Sequence, residues 1–216
     1  MELAPALRDN WLLVGGQMVF LHEVERRSTD IRPTDDIDVV VDLRAEPAGL
    51  ARIHSELISA GFDQVSPGPE GTAHRYHRFG AVIDVLAPDN VGKRAQLTLG
   101  SGRTIQAPGT SQAFHRSATV SVQIEGKHAP IRRPTLVGAL LSKAAAVVKI
   151  SSQSAASRAK HLRDFDSLAR LLGMGDRQVA GLTKTEQRLI ASLANAPEVS
   201  DLAAASLRLL AERGRG

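Results

Sequence analysis

A pair of glycines that closes one apolar run, followed by an alternating acidic strand that opens another, constrains this chain more than any other feature. Trp11-Leu12-Leu13-Val14 leads into Gly15-Gly16, and Arg32-Pro33-Thr34-Asp35-Asp36-Ile37-Asp38 leads into Val39-Val40-Val41. Residues two apart on a strand share a face, so Asp36 and Asp38 stand side by side while Ile37, Val39 and Val41 turn toward a core. Adjacent carboxylates repel each other. A hard divalent cation between them removes the repulsion, and Mg²⁺ is typically held by one or two carboxylates plus substrate phosphates. The glycines suit the phosphate half of that chemistry, because a strand that turns through small residues into a helix offers free backbone N–H groups to a triphosphate.

At 216 residues the chain can form one substantial domain, or a core with a helical extension. Its 43% hydrophobic and 23% charged residues are those of an ordinary soluble globular protein. No apolar run reaches the roughly 18 residues of a membrane span, and the start, Met1-Glu2-Leu3-Ala4-Pro5, lacks the basic opening of a secretory signal. No membrane association and a cytoplasmic location are therefore expected. The absence of cysteine excludes disulfides and thiolate metal sites. The net charge of +4 and a pI near 9.8 point toward a polyanionic partner. Basic residues concentrate at Arg26-Arg27, at His74-Arg75 with His77-Arg78, and at Arg132-Arg133, although a solvated surface explains any one of these clusters equally well. With only 3% aromatic residues, phosphate contact is a better mode of recognition than stacking of bases.

The pattern predicts a first part, to about residue 130, with strands at 11–14, 37–43, 73–79, 82–87, 104–107 and 119–125 and helices at 17–27 and 47–60. The remainder is predicted to be helical. Ser66–Gly71 and Leu99–Gly102 are turn-rich, the Ser/Ala-rich Ser151–Ser157 is a helix junction, and Pro134 is expected to open a helix at its first position. Leu136, Leu140, Ala144 and Val147 form the buried stripe of that helix, and Thr183 with Glu186 forms a capping box further on. Leu189, Leu202, Leu207 and Leu210 are expected to pack on the core or on a partner.

Several single residues have both a chemical and a plain structural reading. Asp84 stands alone in the apolar run Ala81–Ala87, where it either ligates a metal or is bonded to backbone, Arg75 or Arg78. Thr34 bonds a phosphate oxygen or closes a local turn. Lys143 borders its helix's apolar stripe, where a snorkelling surface lysine is the structural alternative. Asp164 borders the face defined by Leu162, Phe165, Ala169 and Leu172, with a salt bridge to Lys160 as its alternative, whereas Asp166 points toward Arg170 as a surface i,i+4 pair. His74 and His77 fall on opposite faces of a strand and do not form a metal site; His22, His54, His115 and His128 have no constellation around them. None of the histidines is assigned to catalysis.

Gly-Gly, one helix, then Thr34-x-Asp36-Ile37-Asp38 resembles the signature of the DNA-polymerase-β-like nucleotidyltransferases. The form Arg32-x-Thr34-x-Asp36-Ile37-Asp38 is similar to that of the AbiEii/MenT-type nucleotidyltransferase toxins of bacterial toxin–antitoxin systems. The core signature covers roughly residues 11–42. A weaker match follows in the helical half: Lys143 corresponds to a nucleotide-contacting lysine, and Lys160-His161-Leu162-Arg163-Asp164 resembles a Lys-Asp-x-x-Asp element in which His161 replaces the first Asp and Asp164 stands as the second. The resemblance implies an α/β (α+β) fold, with a nucleotidyltransferase core over residues 1–130 whose mixed sheet is flanked by helices, and a C-terminal helical bundle over 131–216 packed on it. It further implies Asp36, Asp38, Lys143 and Asp164 as catalytic residues, with Asp36, Asp38 and Asp84 around Mg²⁺ (or Mn²⁺). Gly15, Gly16, Thr34 and Lys143 would contact the NTP substrate.

The reaction implied is metal-dependent transfer of NMP from an NTP to RNA, in particular the tRNA 3′ end, by a growth-inhibiting toxin with a cognate antitoxin. A basic chain suits an RNA acceptor, since lysine and arginine contacts to phosphates supply most non-specific affinity. Two alternatives stand beside it. An antibiotic-type nucleotidyltransferase acting on a small cationic molecule would call for an acidic acceptor pocket. A non-catalytic RNA- or protein-binding module of the same fold would have little reason to carry Thr34, Asp36, Asp38, Lys143 and Asp164 together.

Overall fold

The computed structural model describes residues 10–68, 70–92, 95–150 and 154–213. A mixed sheet runs in the order β1-β2-β5-β4-β3, formed by β1 (Trp11–Val14), β2 (Asp36–Val41), β3 (Asp63–Gln64), β4 (Arg75–Arg78) and β5 (Ala81–Pro88). The β2–β5 pair is parallel and the other neighbours are antiparallel. Helices α1 (Gly15–Glu25) and α2 (Gly49–Ser59) follow β1 and β2 in the chain. The short hairpin β6 (Thr98–Leu99) and β7 (Gly102–Arg103) precedes β8 (Gln106–Ala107), which pairs parallel with the end of β5.

The valine run of β2 is buried on both faces. Val39 and Val41 join Trp11, Leu13, Met18, Ile53 and Tyr76 in the large core, while Val40 packs with Leu12, Val14 and Leu86 in a smaller one. Ala113 of α3 (Thr110–His115) closes that smaller core. Leu50, Ile53 and Leu57 recur at helical spacing and give α2 its buried face.

The hairpin of β9 (Ser117–Ile124) and β10 (Lys127–Pro134) turns through Glu125 and Gly126, both at positive φ. That is the geometry a two-residue turn needs to match strand twist. Helices α4 (Leu136–Lys149), α5 (Ala155–Arg170), α6 (Met174–Gln178), α7 (Lys184–Ala191) and α8 (Asp201–Arg213) complete the chain. The expected stripe of α4 is buried, and so is every other residue from Leu136 to Val147. Its alanines let α5 approach with Leu162, Phe165, Leu168 and Ala169. No described helix is long and apolar enough to cross a membrane.

The structure corrects several expectations. Neither α3 nor β10 was foreseen. Pro134 ends β10, opposite Ser117, and Thr135 is the N-cap of α4, its Oγ1 accepting from the Gly138 N–H at 3.3 Å. The strand expected at 104–107 contracts to β8, and the Thr104 backbone N–H donates instead to the Leu97 carbonyl at 2.9 Å. Leu207 and Leu210 are buried as expected, but Leu202 is 63% exposed. The capping box forms: Thr183 N–H donates to Glu186 Oε2 at 2.8 Å and Glu186 N–H to Thr183 Oγ1 at 3.2 Å. Of the Ser/Ala-rich junction, 151–153 lie outside the described residues, as do the chain start at 1–9 and Pro69 of the first turn; Ser154 caps α5.

Candidate active site

Strand pairing builds the site. Val14 of β1, Asp38 of β2, Asp84 of β5 and Arg75 of β4 are successive cross-strand partners, so they form one row on one face of the sheet. Asp36 lies two residues along on the same face, opposite Val82. The alternation read from sequence is thus the one that forms, and the row brings Asp84 beside Asp38.

The glycine pair fits against this row. Gly15 has φ +67°, and a Cβ there would lie 1.7 Å from Asp38 Oδ2. Only glycine tolerates both that backbone conformation and that approach. A Cβ on Gly16 would come within 2.7 Å of Thr34 Oγ1. The two glycines therefore press the N-terminus of α1 onto Asp38 and Thr34, and the Gln17 side-chain amide holds the Thr34 carbonyl from the same turn.

Facing the row are cations from the helical half. Lys143 is 5% exposed, and its Nζ donates to Asp164 Oδ2 at 2.7 Å. Lys143 lies not at the edge of an apolar stripe but in a stretch of α4 that is buried all round, and its ammonium is satisfied by a carboxylate rather than, as in the snorkelling alternative, by water. Asp164, 2% exposed, pairs on its other oxygen with Arg32 at 2.8 Å. Its partners are thus Lys143 and Arg32, in place of the Lys160 salt bridge held as the alternative. Asp166 pairs with Arg170 at 3.0 Å, as read from sequence.

The electrostatics divide the site. Burial pushes the Asp38 carboxyl above its ordinary value, against the pull of Lys143, and neighbouring Asp84 and Asp36 push it further the same way. Burial also works to raise Asp164, but Lys143 and Arg32, by charge and hydrogen bond, hold it below the usual carboxylate range. His161 is lowered to about 4 by burial and then by Lys143, so its ring is neutral at pH 7. Its Nδ1 is buried and makes no hydrogen bond among the described residues.

Asp84 is 7% exposed, and both of its oxygens accept from Arg75, Oδ1 from Nε at 2.8 Å and Oδ2 from a terminal nitrogen at 2.7 Å. Of the two readings of Asp84, the arginine pairing is present. Among the described residues no three His, Asp or Glu side chains converge as a preformed metal cage.

Arg32 and His161 complete the constellation without having been given a role from sequence, whereas Arg75 is the partner that the sequence offered for Asp84 as one alternative. Arg32 lies inside the quoted motif, but its partner stands 132 positions away. The loop that carries Arg32 and Thr34 is anchored further by Glu23, which accepts from the Arg32 backbone N–H at 3.3 Å and from the Ser167 hydroxyl of α5. A cavity of about 430 Å³ opens beside Asp164, lined by Arg32, Pro33, Arg163, Asp166 and Arg170 among others.

No protein-family model and no curated protein matches the chain. A crystal structure of an antigenic nucleotidyltransferase-like protein from Paracoccidioides brasiliensis is similar, with a TM-score of 0.55 and 18% identity over 96% of this chain and 89% of that one. At that identity the likeness is one of fold, and the fold is nucleotidyltransferase-like: a mixed sheet with helices around it.

Proposed function

We propose that this chain is a nucleotidyltransferase that uses Mg²⁺ or Mn²⁺ to transfer NMP from an NTP to RNA, with the tRNA 3′ end as the acceptor and a toxin restrained by a cognate antitoxin as the biological setting. One observation carries the reading. Asp36 and Asp38 share a face with Asp84, the glycine turn that starts α1 abuts Asp38, and Lys143, paired with Asp164, sets its charge against Asp38 from the helical half.

The residues fit a divalent cation. The donors are carboxylate oxygens, and the resistance of Asp38 to ionisation among Asp84 and Asp36 is what a bound dication relieves. A site without a closed protein cage is also what Mg²⁺ uses when substrate phosphates complete its shell. Asp36 and Asp38 would hold the ion, and its chemistry would be to draw the triphosphate against them and stabilise charge on the transferring phosphoryl group.

The chain's own groups do the rest. The start of α1 at Gly15 and Gly16, with Thr34, offers backbone and hydroxyl donors to phosphate oxygens. Lys143, held in place by Asp164, faces Asp38 with a positive charge for the triphosphate. The acceptor hydroxyl oxygen bonds to the α-phosphorus, the bond to the β-phosphate breaks, pyrophosphate departs, and the hydroxyl proton passes to a carboxylate of the row. The basic composition supports a nucleic-acid acceptor.

Incubation with each labelled NTP, Mg²⁺ and either total tRNA or a small cationic acceptor, with Asp36→Ala as control, tests this. Label in tRNA that disappears with Asp36→Ala is the expected result. Label confined to a small cationic acceptor would replace the RNA reading, and no transfer from any NTP would remove the enzymatic one.

A further inference from the structure

The cross-strand row contains a permanent cation. Arg75 and Asp84 are directly opposed on β4 and β5, and the guanidinium meets the carboxylate as a two-pronged fork at 2.8 and 2.7 Å. Such bidentate, charge-assisted contacts are among the strongest hydrogen bonds a protein forms. A metal ion held between Asp38 and Asp84 would have to share Asp84 oxygens whose charge the guanidinium already neutralises, or draw Asp84 off both bonds. Asp84 is nearly fully buried, so little water is available to replace them. Arg75 also lies in the field of Asp36 and Asp38, which reinforce its positive charge.

We infer that Arg75 is a positioning residue that substitutes for one metal ion: by engaging both oxygens of Asp84 it withdraws that carboxylate from the ligand set, leaving Asp36 and Asp38 to bind a single divalent cation. Two-ion sites of this chemistry place their cations about 4 Å apart. Here the guanidinium supplies the second positive centre, fixed covalently to the sheet. The inference rests on the nucleotidyl-transfer reading of the site. A purely structural Arg75–Asp84 pair would hold β4 against β5 in the same way but would have no influence on how many cations bind.

The test is a Mn²⁺ titration of the full chain, followed by the electron paramagnetic resonance signal of free Mn²⁺, with and without a non-hydrolysable NTP analogue. Wild type should bind one ion per chain. Asp84→Asn should still bind one, with affinity changed by less than about threefold, well below the roughly 10- to 100-fold range that loss of even an outer-shell partner produces. Arg75→Gln, which releases Asp84, should gain a second ion, and Arg75→Lys should return to one. Two ions in wild type, a tenfold or greater loss in Asp84→Asn on that scale, or one ion in a folded Arg75→Gln would each overturn the inference while leaving nucleotidyl transfer intact. If Arg75→Gln does not fold, Arg75→Met, which keeps the stem of the side chain, is titrated in its place, with a second ion expected and a single ion overturning the inference. No Mn²⁺ binding by wild type even with the analogue would overturn both readings together.

Discussion

Replacing Lys143 by Met tests the helical half of the site and separates stability from binding. The Lys143–Asp164 contact spans 2.7 Å between side chains that are 6% and 2% exposed. Removing one partner of a buried ion pair costs about 3–5 kcal/mol, because the other charge is left in a medium that solvates it poorly. Arg32 still holds the second oxygen of Asp164 at 2.8 Å, which places the expected loss near the lower end, about 3 kcal/mol. For a chain of this length each kcal/mol moves the midpoint by about 2–4 °C, so Lys143→Met should melt roughly 6–12 °C below wild type. Lys143→Met with Asp164→Leu should recover most of that loss, since an apolar pair of similar volume replaces both charges. Calorimetric melts in metal-free buffer measure the stabilities, and NTP-analogue titration at low temperature measures binding. The double variant should remain folded yet fail to bind. A Lys143→Met midpoint within about 1 °C of wild type, or a double variant as unstable as the two single losses summed, would refute the buried-pair reasoning.

Asp38→Asn should behave in the opposite sense. Burial, with Asp84 and Asp36 adding to it, raises the folded-state carboxyl, so ionisation costs the folded chain more than the unfolded one; the penalty is absent below the unfolded value of about 3.9 and grows as pH rises through the folded value. The variant should therefore melt above wild type at pH 7.5 in chelator, with the gap closing toward pH 4, and a wild type that is the more stable at pH 7.5 would contradict this. Gly15→Ala should lose transfer activity and at least about 1–2 kcal/mol of stability from its left-handed backbone alone, because the added methyl lands on the Asp38 carboxylate; urea denaturation and the tRNA assay check both, and full activity would show that the start of α1 is free to move.

The parts of the site legible in the sequence are those with a local period. Asp36 and Asp38 alternate with Ile37 and Val39, and alternation fixes their face whatever else the chain does. The glycine pair marked a strand-to-helix turn suited to phosphates, but not that Asp38 presses against Gly15 there. What stayed illegible depends on partners distant in sequence. Lys143 looked like a border residue because helical periodicity says nothing about a helix covered on every side. Arg32 and Asp164 find each other only once α5 lies against the loop after α1. Strand β10 escaped because its inward positions, Ala129, Ile131 and Arg133, do not read as an apolar alternation; Arg133 is buried because Glu25 pairs with it and His22 hydrogen-bonds it.

The bond from Asp164 to residue 32 on one side and residue 143 on the other has a consequence for the order in which the protein becomes competent. Synthesis delivers Asp36, Asp38 and Asp84 first, and the carboxylate row can pair as soon as β5 has emerged. The cations that oppose the row, and the carboxylate that fixes the Arg32 loop, arrive only with α4 and α5. A chain halted or cut between β10 and α4 carries the acidic half of the site without Lys143 and Asp164. On the proposed reading, an unfinished copy is inert toward nucleotides in the cell that is making it.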